Sequence, residues 1–356
     1  MKITTIGIDL AKNVFQLHGV DGHGKTALKK QLRREQMATF FANLPPCLIG
    51  MEACGGAHYW ARLLQELGHT IRLMAPQFVK PYVKTNKNDA ADAAAICEAV
   101  TRPDMRFVPV KTVEQQAILS VHRARAGFVK ARTATANEIR GLLAEFGIVI
   151  PQGIHTICRR IPEILENGES ELTHTFKQLL RTLLNHLKEL DLQVEALEQD
   201  IQCWHRNSAA SIRLAKIPGV GPLTASAVVA TVGDAKNFSN GRQFAAWLGL
   251  VPRQHSSGGK STLLGISKRG DSYLRTLMVH GARAVLRFAT GKTDRTSTWL
   301  NGVMVRRHTN VAAVALANKN ARIIWALLAH GCEFRSDAPP SNYRGVVGPV
   351  NFDNAD

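Results

Sequence analysis

Over the first hundred or so positions, apolar residues come in short runs separated by turn-formers. Ile3–Leu10 is a mostly apolar run broken by a single acid and predicts a strand. Val14–Val20 alternates apolar and polar side chains, as a half-buried strand does, and the Gly-rich stretch Asp21-Gly22-His23-Gly24 turns it into a third strand at Thr26–Leu32. A helix is predicted over Arg34–Leu44. Cys47–Met51 is a short continuous apolar run, the signature of a buried parallel strand. Ala57–Leu67 then reads as a helix stopped by Gly68, Thr70–Met74 as a strand, and the segment after Pro76 as helical through Asp89–Val100. Strands alternating with helices predict an α/β domain.

Beyond Val113 the period changes. A long helix is predicted over Val113–Phe146, carrying Arg123, Arg125, Lys130, Arg132 and Arg140 and ending before Pro151. Leu180, Leu183, Leu187, Leu190, Val194, Leu197 and Ile201 then recur at alternating steps of three and four, the spacing of a coiled-coil seam. Polar residues fill nearly every other position, which favours a self-associating arm; a helix packed on the body of the protein is the alternative. From about Arg213 the chain reads as helical again, and beyond Glu333 turn-formers dominate and a disordered tail is expected. The predicted fold class is α/β plus all-α, with domains at 1–150, 151–205 and 206–333 and a tail at 334–356.

Composition adds one discriminating fact. The 356 residues hold 45 Lys+Arg against 28 Asp+Glu, a net charge of +17, which favours a polyanionic partner such as DNA or RNA. From Arg206 onward there are 20 basic and 7 acidic residues, so that part carries +13 of the total. The first 205 residues, at 25 against 21, keep enough acid to hold a cation. The six cysteines show no C-x-x-C pair and no zinc spacing, and are expected to be small buried residues in a reducing cytosol. The N-terminus has an acid inside its apolar run and no cleavage site, and no apolar run is expected to reach the length of a membrane span. A cytoplasmic protein is expected.

Four acids carry the candidate chemistry. Ile6-Gly7-Ile8-Asp9 ends an apolar strand in a carboxylate, and the Cys47–Met51 strand ends the same way in Glu52. If these strands are parallel neighbours, both acids emerge at the carboxyl edge of the sheet, where open α/β sheets place their sites. Asp89 and Asp92, three apart on a predicted helix, share a face. Converging carboxylates need a cation, and hard oxygen ligands select Mg²⁺ or Mn²⁺. By contrast, Gly19–Thr26 matches the phosphate-loop pattern G-x-x-x-x-G-K-[ST] only in letters. Its flanks, VFQLHGV and TALKKQL, read as hairpin arms instead of a buried strand and a helix, so nucleotide binding is not expected.

In the basic half, Ile217-Pro218-Gly219-Val220-Gly221-Pro222 ahead of Leu223–Val232 has the form of a helix-hairpin-helix. In that motif Gly219 and Gly221 would let backbone N–H groups approach a phosphate. Further on, a polar loop presents Ser256 and Ser257 near Lys260, Lys268 and Arg269. It could offer a hydroxyl to a phosphodiester whose charge those cations hold.

The runs IGIDLAKNVFQLHGVD, GMEACGGAHYW and KTNKNDAADAAAI resemble the RuvC-like DEDD domain of the IS110-like transposases, a group that includes the Piv-type invertases. The run from IPGVGPLTASAVV to LRTLMVHGARA resembles their C-terminal transposase domain. The resemblance implies a ribonuclease-H-like fold with Asp9, Glu52, Asp89 and Asp92 as metal ligands. It also implies a serine nucleophile at the position of Ser257, with adjacent Ser256 the other choice. It further implies excision and insertion of an element in double-stranded DNA, guidance by a bridge-type RNA, a dimer-based tetramer and association with the bacterial nucleoid. Two other functions remain open on the residues alone. One is a RuvC-like metal-dependent nuclease that hydrolyses branched DNA; the other is a non-catalytic nucleic-acid-binding protein.

Overall fold

In the computed structural model of the chain, which describes residues 2–84, 88–166 and 172–335, two compact units divide at Val113/Glu114. The first is built on a six-stranded sheet. Its strands are β1 (Thr5–Leu10), β2 (Val14–Val20), β3 (Thr26–Arg33), β4 (Leu48–Glu52), β5 (Thr70–Met74) and β6 (Phe107–Val108), in the order β3-β2-β1-β4-β5-β6. β1, β4 and β5 run parallel, while β2, β3 and β6 run against their neighbours. This mixed sheet is consistent with a RuvC-like domain. β2 and β3 form the predicted hairpin, and the Asp21 carboxylate caps its turn by accepting from the N–H groups of His23 (2.9 Å) and Lys25 (3.0 Å). The phosphate-loop pattern therefore lies across a hairpin, as its flanks indicated.

Alternation along the strands decides what each face of the sheet meets. Ile6 and Ile8 of β1, with Ile49 and Met51 of β4, join Phe15, Leu17, Phe41 and Trp60 in a fully dry core under α1 (Met37–Ala42) and α2 (Ala57–Glu66). The helix expected over Arg34–Leu44 is shorter, because its first turn, Arg34–Gln36, is 3₁₀. On the other face the intervening residues are small. There the short α3 (Pro76–Val79) leads to α4 (Asp89–Ala99), which buries Ala93, Ala95, Ile96, Cys97 and Ala99.

The second unit contains α5 (Val113–Ala144), whose first residue belongs to the first unit, α6 (Ile154–Glu166) and α7 (His174–Arg206). These are followed by α8 (Ala209–Ala215), α9 (Pro222–Val232) and α10 (Gly241–Trp247), the hairpin β7 (Pro252–Ser257) and β8 (Lys260–Ile266), and then α11 (Ser272–Arg287), α12 (Arg295–Arg306) and α13 (Thr309–His330). The leucine series does lie on one long helix, α7. Its apolar stripe is covered by the same chain: Leu180, Leu184 and Leu187 pack with Ala136, Ile139 and Leu143 of α5 and with α6, while Ile201 packs on Ile118 and Ala230. The ion pairs Arg125–Glu198 and Arg132–Asp191 step seven residues up α5 and seven down α7, so these two helices run antiparallel.

Helices α8 to α13 enclose the remaining core. At 22 residues α13 is long and apolar enough to cross a membrane by length and composition, contrary to the expectation that no segment is. It is the central helix of this core, with Ala313, Leu316, Ala317, Ala321, Ile324 and Leu327 buried to 1% exposure or less. Apolar composition here follows from being surrounded by protein. The cysteines also depart from expectation: Cys47 and Cys97 are buried, but Cys54 and Cys203 are exposed. The tail expected beyond Glu333 lies, from residue 336 on, outside the described residues.

Candidate active site

Parallel pairing of β1 with β4 sets Gly7 beside Gly50 and Ile8 beside Met51, so Asp9 and Glu52 leave the sheet next to each other at its carboxyl edge. Both acids stand two residues after a glycine and share that glycine's face, the one that α4 covers. The glycines matter because of how near the helix comes. A Cβ on Gly7 would lie 2.3 Å from both the Ala93 carbonyl oxygen and the Cys97 nitrogen, and one on Gly50 would lie 2.8 Å from the Val100 Cβ. With no side chain at either position, α4 rests on the strand backbones, and its first turn hangs over the sheet edge. That turn is started by Asn88, whose side chain accepts from the Ala91 N–H at 2.7 Å, and it carries Asp89 and Asp92.

The result is a carboxylate group. Asp9, Asp89 and Asp92 each offer an oxygen, all within 4.8 Å of one another. Asp9 and Asp92 are half-buried and Asp89 is exposed. Glu52 stands outside that trio but faces the same ground: the thiol of Cys54, an exposed residue, is pushed up by partial desolvation of its sulfur, then by the fields of Glu52 and Asp9. Oxygens bound in common to Mg²⁺ or Mn²⁺, at about 2.1 Å from the ion, would lie roughly 3–4 Å apart. The three oxygens, all within 4.8 Å of one another, leave room for one such ion, and an all-carboxylate donor set suits a hard divalent cation. The glycine two residues before each strand acid went unread in the sequence, although I-G-I-D and I-G-M-E repeat it.

Ser256 and Ser257 lie on a structured element, where an irregular loop was expected. β7 and β8 pair through a two-residue turn, Gly258-Gly259, with φ of +55° and +77°. Two left-handed residues match the right-handed twist of a hairpin, and glycine reaches that region without strain. Ser257 is the last residue before the turn, opposite Lys260, and every residue of β7 is exposed. Ser256 and Ser257 point to opposite faces of the ribbon. Ser257 shares its face with His255, Lys260 and Thr262, whereas Ser256 accepts a hydrogen bond from Gln254 Nε2 at 2.8 Å. His255 was not singled out from the sequence; strand alternation would have placed it once the hairpin was known.

Lys268 and Arg269 sit at the hairpin's base. A Cβ on Gly249 would meet the Arg269 carbonyl at 2.1 Å, and one on Gly270 would meet the Trp247 carbonyl at 1.9 Å, so two backbones are pressed together there. The Lys268 N–H donates to the Gly249 carbonyl (3.1 Å), and Lys268 is held at φ +54°, the left-handed region. Arg275 ties the same junction by donating to the carbonyls of Leu248 and Arg269. The turn between α8 and α9 separates its two glycines. Gly219, at φ +84°, is packed against the Gly281 backbone of α11, whereas Gly221 is exposed at the N-terminus of α9.

The chain resembles known proteins along nearly its whole length. A family model for the DEDD transposases of the IS110 type matches residues 6–148, and one described as the transposase IS116/IS110/IS902 family matches residues 211–297. The chain is 56% identical to a probable family 20 transposase of Pseudomonas aeruginosa over 94% of its own length and 99% of the relative's. It is 46% identical to the transposase for insertion sequence element IS1328 of Yersinia enterocolitica, covering 93% and 98%. With the transposase for insertion sequence element IS1111A of Coxiella burnetii it shares 47% identity, covering 94% and 92%. A relative this similar over nearly both whole lengths, with both family models matched in order, makes the chain a member of the IS110 family of transposases, proteins of DNA transposition and recombination.

Proposed function

We propose that this transposase excises and inserts its own insertion sequence by strand transfer, with Ser257 as nucleophile and with Asp9, Glu52, Asp89 and Asp92 holding Mg²⁺ or Mn²⁺. The observation that carries the reading is the gathering of Asp9, Asp89 and Asp92 at one sheet edge. Three carboxylates that close repel one another unless a cation lies among them. When bound, the ion would neutralise charge on the phosphodiester as it passes through its transition state.

The chain's own residues supply the remainder. The Ser257 Oγ bonds to phosphorus as it loses its proton, and a deoxyribose oxygen leaves with a proton. In the rejoining step a deoxyribose hydroxyl of another strand displaces Ser257, so the phosphodiester bond energy is kept. Lys260, paired opposite Ser257, faces the charge of the attacked phosphate. Lys268 and Arg269 at the hairpin base, and the N–H groups around Gly219 and Gly221 in a helix-hairpin-helix, bind DNA backbone without reading sequence. A structured guide RNA and assembly of copies into a dimer-based tetramer are carried into this reading from the family resemblance.

The test compares two serine variants. Ser257→Ala should abolish recombination and any covalent protein–DNA adduct while DNA binding survives, and Ser256→Ala should keep both activities. Undiminished cleavage by both variants would replace the serine attack with hydrolysis by water. Recombination that survives Asp9→Ala would remove the metal centre from the mechanism.

A further inference from the structure

Beside the carboxylate group, within the same unit, the sheet carries a polar and basic ledge. Asp9 of β1 is in register with Gln16 of β2, and Gln16 with Gln31 of β3, the edge strand of the sheet. Residues in register share a face, so these three form a row that runs from the acids to the sheet edge, roughly 10 Å away. Lys29 and Arg33 stand on that same face of β3, about 7 Å along the strand to either side of Gln31. Lys29, Gln31 and Arg33 are exposed. The field of Lys29 reaches across this face: burial, and then the Lys29 charge, lower the pKa of His18, which is in register with it. Neither β2 nor β3 contains an acid. The opposite face of β3 belongs to the fold, where Leu28 and Leu32 pack on the apolar core and the Lys30 ammonium lies 5.0 Å from the centroid of the Phe40 ring.

Charge on an edge strand also discourages pairing with other chains, and Lys29 or Lys30 alone would serve that end. Edge protection does not call for two amides in register with Asp9, nor for cations on both sides of that row. We propose that Gln16, Lys29, Gln31 and Arg33 hold the phosphate backbone of the DNA strand whose scissile bond lies at the carboxylates. A cluster of acids repels a phosphodiester, so a strand brought to it has to be held by neighbouring groups. Lysine and arginine neutralise phosphates and side-chain amides donate to their oxygens, in both cases without reading sequence. The row also sets a direction. The strand crosses the β3 edge and reaches the acids after about three nucleotides, at a rise of about 3.4 Å each. DNA is the occupant because the ledge is continuous with the acids, and DNA is what this family recombines. The proposal rests on the reading of the carboxylates as the cutting centre, and it does not depend on Ser257.

The full-length protein is given labelled duplex DNA spanning an end of the insertion sequence and its flank, together with RNA transcribed from the same element. Lys29→Gln and Arg33→Gln should each weaken DNA binding and flatten the slope of log affinity against log salt by about 0.9, and the double variant by about 1.8. Between 50 and 200 mM salt the double variant should therefore lose about tenfold less affinity than the parent protein. Lys30→Gln removes the same charge from the other face of the same strand and should leave the slope unchanged. A photo-crosslinking amino acid in place of Gln31 should label DNA within about three nucleotides of the cut bond. Unchanged slopes in both Lys29→Gln and Arg33→Gln would overturn the proposal, as would an equal change in Lys30→Gln. Labelling of the RNA alone would overturn the assignment to DNA. Cutting by Asp9→Ala protein tests the carboxylate reading separately. If cutting persists there while the slopes shift as stated, the ledge binds DNA and only its link to the cut bond is overturned.

Discussion

Gly7 sets the distance between α4 and the sheet, and the carboxylate group depends on that distance. A methyl group there would meet helix backbone, which cannot rotate away, so Gly7→Ala must push α4 off β1 and carry Asp89 and Asp92 with it. Overpacking of this kind costs about 1–3 kcal/mol. The expected outcome is that loss in urea unfolding, together with weakened Mn²⁺ binding followed by EPR. Gly50→Ala meets the Val100 side chain instead and should cost less. A second residue-scale prediction concerns His122, which is buried between Tyr273 Oη (3.0 Å from Nδ1) and Ser226 Oγ (3.1 Å from Nε2). The Ser226 hydroxyl donates to the Pro222 carbonyl at 2.7 Å, so it accepts from Nε2–H, and Tyr273 donates to Nδ1. Burial, and then the charge of Arg125, bring the His122 pKa down to about 4. The unfolded chain then binds more protons than the folded one between about pH 4 and 6.5, so stability is full above that window and falls as pH drops through it. The loss approaches about 3 kcal/mol. Measured as the difference between unfolding free energies at pH 4.5 and 7, it should shrink in His122→Gln.

At the scale of elements, the β7–β8 hairpin and the α5–α7 pair differ in what holds them. The hairpin is exposed along the whole of β7 and rests on its turn and on the pinned junction at Gly249 and Gly270. Replacing Gly258 and Gly259 together by alanine forces two left-handed alanines, at about 1–2 kcal/mol each. Strand transfer should fall, with hydrogen exchange rising in the hairpin alone and the global unfolding midpoint almost unmoved. The helix pair is held by its apolar seam. Its surface ion pairs are each worth less than about 1 kcal/mol. Leu187 is fully buried, so Leu187→Ala should cost about 2–5 kcal/mol. Because α5 and α6 of the same chain fill the seam, that loss should appear as lower stability with no change of oligomeric state in sedimentation. Dissociation at unchanged stability would instead assign the seam to a second copy.

For the whole molecule, acid and base divide along the sequence: the gathered carboxylates belong to the first unit, and the residues from Arg206 onward carry +13 of the +17 net charge. Removing divalent metal with a chelator should therefore stop recombination while changing duplex affinity by less than about threefold. That affinity should still fall steeply with salt, since counterion release depends on the Lys and Arg contacts alone.

The sequence alone determined whatever depends on local spacing. Strand alternation located β2 and β5 to the residue, and an acid closing each of two apolar strands marked Asp9 and Glu52. Three-and-four spacing found α7, and the charge count separated the two halves of the chain. What required the tertiary structure was every question of which surface meets which. A leucine stripe reads the same whether α5 or a second molecule covers it, and an apolar helix such as α13 reads the same in a protein core as in lipid. Gly258 and Gly259 suit an irregular loop or a hairpin, and only pairing with β8 chooses between them. The Gly7 and Gly50 repeat was in plain view, yet its meaning lies in a helix that begins 82 residues after Gly7, close enough to bring Asp89 and Asp92 to Asp9. Local periodicity records how a segment buries itself, and a site assembled from distant segments is decided by packing.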